Sequence, residues 1–396
     1  MIGNLLFNKR IIGFMLLLLQ FLSISAYDFE VNGIYYNVLD LNNLECEVTS
    51  GDQKYEGSIT IPSKVEFGQK TFTVRKIGDE AFYLCQKMTD VKIPESIKYI
   101  GNNAFQNCDS MESIIIPDSV LSIGKEAFSW ATKLKRVSIG DAVTEIGDDA
   151  FYNCVSINEL KVGKSVKNIG RSAFAQCESL KNVILPNSVE TIGEGAFYQC
   201  SALNKVELGN GLKELKCGTF YLCNNLIQIR IPGSVERIIG YRLFDDSSVP
   251  FTELRYLSLP RSNKELVLGE YGYDDVFITG ESNSKEQYYP TGDQWISGVT
   301  TIYINRRLNS DIKLPNLSFL SIGKDIKKVQ IKDLQNCDKL KTIICDAPDP
   351  PVLPECSTKQ YLNVVVEVPQ DYLEKYKEAP VWKNFWNLKG YHPTKE

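Results

Sequence analysis

The chain has 396 residues, 43% of them hydrophobic and 23% charged, with a formal net charge of −5 and a pI near 5.4. That is the composition of a folded protein, and its acidic balance argues against the basic face that a nucleic-acid partner requires. The single histidine, His392, stands close to the last residue. A solvated tail position there offers nothing to Ser-His-Asp or Cys-His nucleophilic chemistry.

Residues 1–26 have the order of a secretory signal. Lys9 and Arg10 precede the apolar run Ile11 to Leu22, and the small residues Ser23, Ser25 and Ala26 follow. The run is shorter than the roughly 20 residues that span a bilayer. Cleavage after Ala26 is therefore expected. No cysteine follows that point directly, so a lipoprotein anchor is not expected, and no second hydrophobic span appears. The mature chain is expected to be exported: extracellular, at the cell surface or periplasmic.

Residues 27–73 read as an N-terminal cap and an atypical first turn. Two β-rich runs, Tyr27 to Val31 and Ile34 to Val38, flank Asn32-Gly33, a strong hairpin signal. A strand-like segment, Ser58 to Pro62, lies 32 residues before its next equivalent at Pro94, and Phe67 to Thr73 supplies the extra length.

Residues 74–244 form the regular array. Phe82, Phe105, Phe128, Phe151, Phe174, Phe197 and Phe220 are each 23 residues from the next. A fixed period without insertion means one unit stacked on itself. Each unit opens with a strand such as Leu180 to Pro186, in which Val183 and Leu185 alternate with outward positions. Val189 and Ile192 are expected to face inward, and Gly193 to permit a backbone turn that a side chain would obstruct. Ala196 to Cys200 is expected to make a short helical or irregular return. One turn cannot bury this apolar set alone, and stacked neighbours can; each buried Phe contributes roughly 1.5–3 kcal/mol. Cys85, Cys108, Cys154, Cys177, Cys200 and Cys223 share one repeat position, with Ala131 in the remaining slot. Ladder neighbours about 4.8 Å apart fit poorly to disulfide geometry, so the column reads as packed thiols.

The pattern Leu-x-x-Val-x-Ile-Pro-x-x-Val-x-x-Ile-Gly-x-x-Ala-Phe-x-x-Cys resembles the leucine-rich repeat of the BspA type, found in surface and secreted proteins of host-associated anaerobic bacteria. The resemblance implies a repeat solenoid. Its class is a right-handed α/β, β-dominated arc with one parallel strand per turn, an N-terminal hairpin cap and a C-terminal strand-helix cap. It also implies contact with host or matrix proteins, or with other cells. Lys216 in the Gly slot and Thr219 in the Ala slot depart from the pattern, so that unit is expected to be looser.

Residues 245–339 read as irregular, degenerate repeats. Strand-like runs continue at 254–259, 265–268, 276–279, 299–304, 317–322 and 329–331, and Leu334-Gln335-Asn336-Cys337 echoes the return motif. One continuous solenoid with irregular middle turns is expected, with a small separate domain as the alternative. Residues 340–396 read as the last repeat and the cap: a strand at 340–345, a Pro-rich loop, a strand at 363–369 and an aromatic helix marked by Tyr372, Tyr376, Trp382, Phe385 and Trp386. Cys345 and Cys356 either bridge around the loop or remain two thiols.

No catalytic group, metal site or cofactor site is expected. The cysteines are spread along an axis rather than paired at zinc spacing, the acidic pairs Asp148-Asp149 and Asp245-Asp246 lack a calcium-loop pattern, and no phosphate loop is present. What remains is surface. The outward strand columns carry Arg136, Glu159, Lys161, Ile184, Lys205 and Arg230 over a face of roughly 34 Å. Such a face suits a broad protein contact. The aromatic stretch with Tyr271, Tyr273, Tyr288, Tyr289 and Trp295 is the second candidate, able to stack on sugar rings or to anchor a protein. The expected role is an adhesin-type protein-binding scaffold acting as a monomer, with a host matrix or cell-surface protein as partner; the alternative is a glycan-binding module.

Overall fold

A computed structural model describes residues 27–239 apart from 217 and 227, the strands 256–259 and 267–270, and residues 299–392 apart from 309 and 310. The expected signal segment lies outside the described residues.

Asn32 and Gly33 adopt positive φ of 54° and 77°, as a two-residue hairpin requires, and join strands Phe29–Val31 and Ile34–Asp40. Strand Glu45–Thr49 follows antiparallel, then pairs in parallel with Lys70–Ile77. The extra residues near Phe67 form an antiparallel hairpin, Lys64–Phe67 with Lys70–Ile77. Strand Gly57–Thr60 pairs with Met88–Lys92 and puts Ser58 against Asp90, the 32-residue offset expected.

From there the chain stacks in register, and each turn has three sides. The first is a strand such as Arg136–Ser138, bound in parallel to its neighbours with Arg136 opposite Ser113 and Glu159. The second is a shorter strand such as Glu145–Ile146, with Ile146 opposite Ile123 and Ile169. The third is the Ala-Phe-x-x-Cys return, which is neither helical nor irregular. Alternate amides bond to the next turn: Phe105 to the Ala127 carbonyl at 2.6 Å and Phe128 to Ala150 at 2.7 Å. The amides between them close tight turns within their own unit, as Cys108 does on Phe105. This geometry needs left-handed residues. Glu126 and Trp130 stand at φ 54° and 62°, and the same two slots repeat in each regular turn. Glycine fills one of them at Gly195 and Gly218; elsewhere side chains accept a cost of about 1–2 kcal/mol, offset by the turn-to-turn bonds.

Inside, the Phe rings stack nearly parallel, from 4.9 Å between Phe82 and Phe105 to 5.7 Å between Phe197 and Phe220. The rings thus stack at close to the spacing of hydrogen-bonded strands, about 4.8 Å. Tyr55 packs against Phe82 and closes that end of the ring stack. Next to the rings, the thiols from Cys108 to Cys223 donate to the Phe carbonyl of an earlier turn, as Cys108 does to Phe82 at 3.2 Å and Cys154 to Phe128 at 3.1 Å. Cysteine thus suits the slot by size and as a weak donor. The ten described cysteines are all buried free thiols, Cys345 and Cys356 included. Cys345 Sγ lies 3.1 Å from the Tyr376 hydroxyl instead.

At the repeat glycine a side chain would obstruct, as expected, and what it would strike is the neighbouring turn. Gly124 and Gly147 are not left-handed; a Cβ on either would fall 2.6 Å from the backbone of the preceding turn. Glycine here sets how closely turns approach. The amide bond that Gly101 through Gly193 each donate to the turn before has no counterpart at Lys216, and the second-strand ladder stops at Thr191–Ile192 and restarts at Glu214–Leu215. The expected loose unit is therefore a seam. Across it the first-strand ladder stays intact, Asn182 to Lys205 to Gln228.

That ladder also bridges the irregular interval. Gln228 pairs with Tyr256, Tyr256 with Thr301 and Thr301 with Phe319. It continues through Thr342–Cys345 and Val365–Pro369 to a final parallel strand, Asn387–Tyr391, which follows the segment expected to be an aromatic helix. The helical content before that strand is short: Thr358–Asn363, closed by a Ser357–Gln360 capping box, and Leu373–Glu378 between two 3-10 turns. Trp382 and Tyr376 are buried there edge to face at 5.0 Å.

Two outcomes follow. Burial pushes the Cys154 thiol from its ordinary value near 9 up to about 12. Folded stability is then full below about pH 9 and falls as pH rises towards about 12, because the unfolded thiol ionises first. Chemical denaturation at stepped pH should show that decline, and iodoacetamide should label the column only after denaturation; rapid labelling of native protein would contradict the packing. Separately, Gly147→Ala should cost about 1–3 kcal/mol by forcing two backbones apart, whereas Lys216→Ala, where the turns already stand apart, should change urea stability by less than about 0.5 kcal/mol. Equal effects would remove the close-approach explanation.

Candidate functional site

A strand with one buried side must present every second residue outward. In the first-strand ladder the inward residues Ile114, Val137 and Val183 are buried, and the outward ones form two columns. One column runs Ser113, Arg136, Glu159, and the other Ile115, Ser138, Lys161. Beyond a break in the ladder they continue as Asn182 and Lys205 and as Ile184, Glu207 and Arg230.

Arg136, Glu159, Lys161 and Ile184 come together with Ile115 around a shallow groove of about 670 Å³. Lys205 and Arg230 lie farther along the same face, outside it. Ile115 is 72% exposed and Ile184 59%, against 2% or less for their inward neighbours Ile114 and Val183. Lys205 and Glu207 neutralise each other at 2.6 Å. Arg136, Glu159, Lys161 and Arg230 are exposed and make no ion pair among the described residues, although Arg136 and Glu159 are ladder partners. The face therefore offers uncommitted charges and two aliphatic knobs on a rigid backbone.

The same side carries aromatic residues that periodicity missed. Tyr303, 40% exposed, and Phe319 lie 5.7 Å apart on successive strands. Their strands, Thr301–Ile304 and Phe319–Ile322, stand 18 residues apart, so the 23-residue frame does not reach them. The two-residue alternation of Thr301-Ile302-Tyr303-Ile304 was the available signal. Tyr271, Tyr273, Tyr288, Tyr289 and Trp295 lie outside the described residues.

A second groove, of about 570 Å³, follows the glycine column between Glu145 and Asn168 on one wall and Asp148 and Arg171 on the other. Among the described residues no cluster of His, Cys, Asp or Glu is placed to hold a metal ion, and no helix is long and apolar enough to cross a membrane.

Comparison with known proteins places this geometry. The sequence pattern of the BspA type leucine-rich repeat region matches residues 58–181 and 144–266, in six copies, over more than half the chain. No curated protein matches. Among solved structures, a leucine-rich repeat protein from Bacteroides ovatus is similar at 24% identity, covering 88% of this chain and 80% of that one, with a TM-score of 0.52. A leucine rich cell surface protein from Faecalibacterium prausnitzii is 19% identical over 93% of this chain and 95% of its own, with a TM-score of 0.45. The pneumococcal vaccine antigen PcpA is 16% identical over 93% and 98%, at 0.38. The likeness to the Bacteroides ovatus protein, at 24% identity, is one of fold.

Because the charges are exposed and uncommitted, removing them should leave folding intact. Arg136→Ala and Lys161→Ala are each expected to shift urea stability by less than about 0.5 kcal/mol. A loss of several times that would mean the face is structural.

Proposed function

The chain belongs to the BspA-type leucine-rich repeat family, and we propose that it is an exported, adhesin-type scaffold that binds host matrix or cell-surface proteins on its first-strand face. Leucine-rich repeat proteins generally bind proteins and act as non-enzymatic scaffolds, and BspA-type members are typically surface proteins. The proposal goes further, in assigning a face, a mode of export and a monomeric, non-catalytic role to this chain.

One observation carries it. The first-strand face, hydrogen-bonded on both sides of one break, presents Arg136, Glu159, Lys161 and Arg230, which make no ion pair among the described residues, beside exposed Ile115 and Ile184. Rigid backbone lowers the ordering cost of association, and charges free of internal partners can pair across an interface. Breadth fits a protein better than a small ligand: Arg136 and Arg230 stand four strand steps apart, about 19 Å.

Binding of the purified chain to immobilised matrix proteins and polysaccharides tests the reading. Arg136→Ala combined with Arg230→Ala is expected to weaken matrix-protein binding about tenfold or more, a cost of at least about 1.4 kcal/mol, while Tyr288→Ala with Tyr289→Ala leaves it unchanged. Binding to polysaccharides alone, sensitive only to the tyrosine pair, would favour the glycan-binding alternative. Glycan turnover abolished by an Asp or Glu substitution would refute the non-catalytic role.

A further inference from the structure

We infer that the groove between Ile115 and Ile184 receives an extended, acidic polypeptide segment running along the solenoid axis, with two aliphatic side chains four residues apart and a carboxylate midway between them. The inference rests on the reading of this face as a protein-binding surface and adds the partner's chemistry.

Sign is the first argument. The tract from Arg136 to Arg230 carries Arg136, Lys161, Lys205 and Arg230 against Glu159 and Glu207. Lys205 and Glu207 cancel each other. Three cations then stand against one carboxylate, on a chain whose overall charge is −5. A positive tract on an acidic protein steers and selects anionic partners while repelling further copies of the same acidic chain.

Spacing is the second. Ile115 and Ile184 occupy the same outward column three turns apart, with Ser138 and Lys161 between them in sequence. Two of the three steps are hydrogen-bonded ones of about 4.8 Å, and a third of similar size across the ladder break brings the span to about 14 Å. An extended peptide rises about 3.3–3.4 Å per residue and turns alternate side chains to one face. Its residues i and i+4 therefore lie about 13 Å apart, both facing the groove, with i+2 midway. Leu or Val at the ends would cover the two isoleucines. A Glu or Asp at i+2 would fall beside Lys161, with Arg136 in the neighbouring column of the same groove. Lysine and arginine reach such a group by moving side chains alone, since neither gives up an internal ion pair among the described residues.

Shape is the third. The knobs that frame the groove are branched aliphatics, which pack against aliphatic side chains; sugar rings favour aromatic platforms. The groove crosses four successive turns, so a ligand must be long to fill it.

Fluorescence anisotropy on the full chain tests this with three probes: a nonapeptide bearing two leucines four residues apart and a glutamate midway, its lysine counterpart, and polygalacturonate as an anionic glycan. The glutamate peptide should bind. Its affinity should fall about tenfold when salt rises from about 50 to about 300 mM. It should also fall about tenfold with Lys161→Glu or with Ile184→Asp, and Lys161→Glu should gain affinity for the lysine peptide. Absence of glutamate-peptide binding, equal binding of the lysine peptide by the native chain, or binding of polygalacturonate alone would overturn the inference. The broader reading would survive any of these if Arg136→Ala with Arg230→Ala still abolished matrix-protein binding. It fails separately if that variant binds matrix proteins as the native chain does.

Discussion

Close approach of one turn to the next governs this molecule. A 23-residue unit buries its Phe, Ile and Cys only if its neighbours lie near 4.8 Å away, and the backbone maintains that distance on all three sides. Strand ladders do so on two, and the alternating amides of the return do so on the third, where Phe151 bonds to Ala173 and Asn153 to Ala175. The side chains conform to this spacing. Glycine is required where a Cβ would strike the turn before, and cysteine fits where a small group can donate to a Phe carbonyl. Where Ala131 takes the cysteine slot, the Phe105 carbonyl keeps the Cys108 amide and lacks only the thiol. That explains why the slot tolerates the change.

Where the spacing requirement is broken, its reach becomes visible. Lys216 cannot approach as glycine does, and the second ladder ends one turn before it. The next ring pair is also the widest in the stack. Yet the first strands remain paired across the seam, so the disturbance stays on the sides away from the outward charged columns. A solenoid can carry such a local fault because each turn answers only to its neighbours.

Much of this was legible in the sequence. The period named the fold, the Asn-Gly pair placed the first hairpin, and two-residue alternation told which of Arg136, Val137 and Ser138 point outward. What stayed hidden has physical causes. Ala-Phe-x-x-Cys looks like one turn of helix, because an alternation of right- and left-handed residues has no strong sequence mark when Glu, Asn, Trp and Gln occupy the left-handed slots. The glycine reads as a turn residue because close backbone approach and positive φ favour the same residue. Ser357-x-x-Gln360 was a readable capping box for Thr358–Asn363. The final strand, Asn387–Tyr391, is too weakly alternating to be read. For the site, alternation fixed the charged columns, while Tyr303 and Phe319 were lost once strand spacing left the 23-residue frame.

Scaffold and surface are thus carried by different residues, and the scaffold depends on the return being a third hydrogen-bonded side. Native-state hydrogen exchange measures that directly. The amides of Phe105, Phe128, Phe151 and Phe174 should be protected as strongly as those of Val137 and Ile146 in the two strand ladders. Exchange of the Phe amides at the rate of exposed loops, with the strands protected, would contradict it.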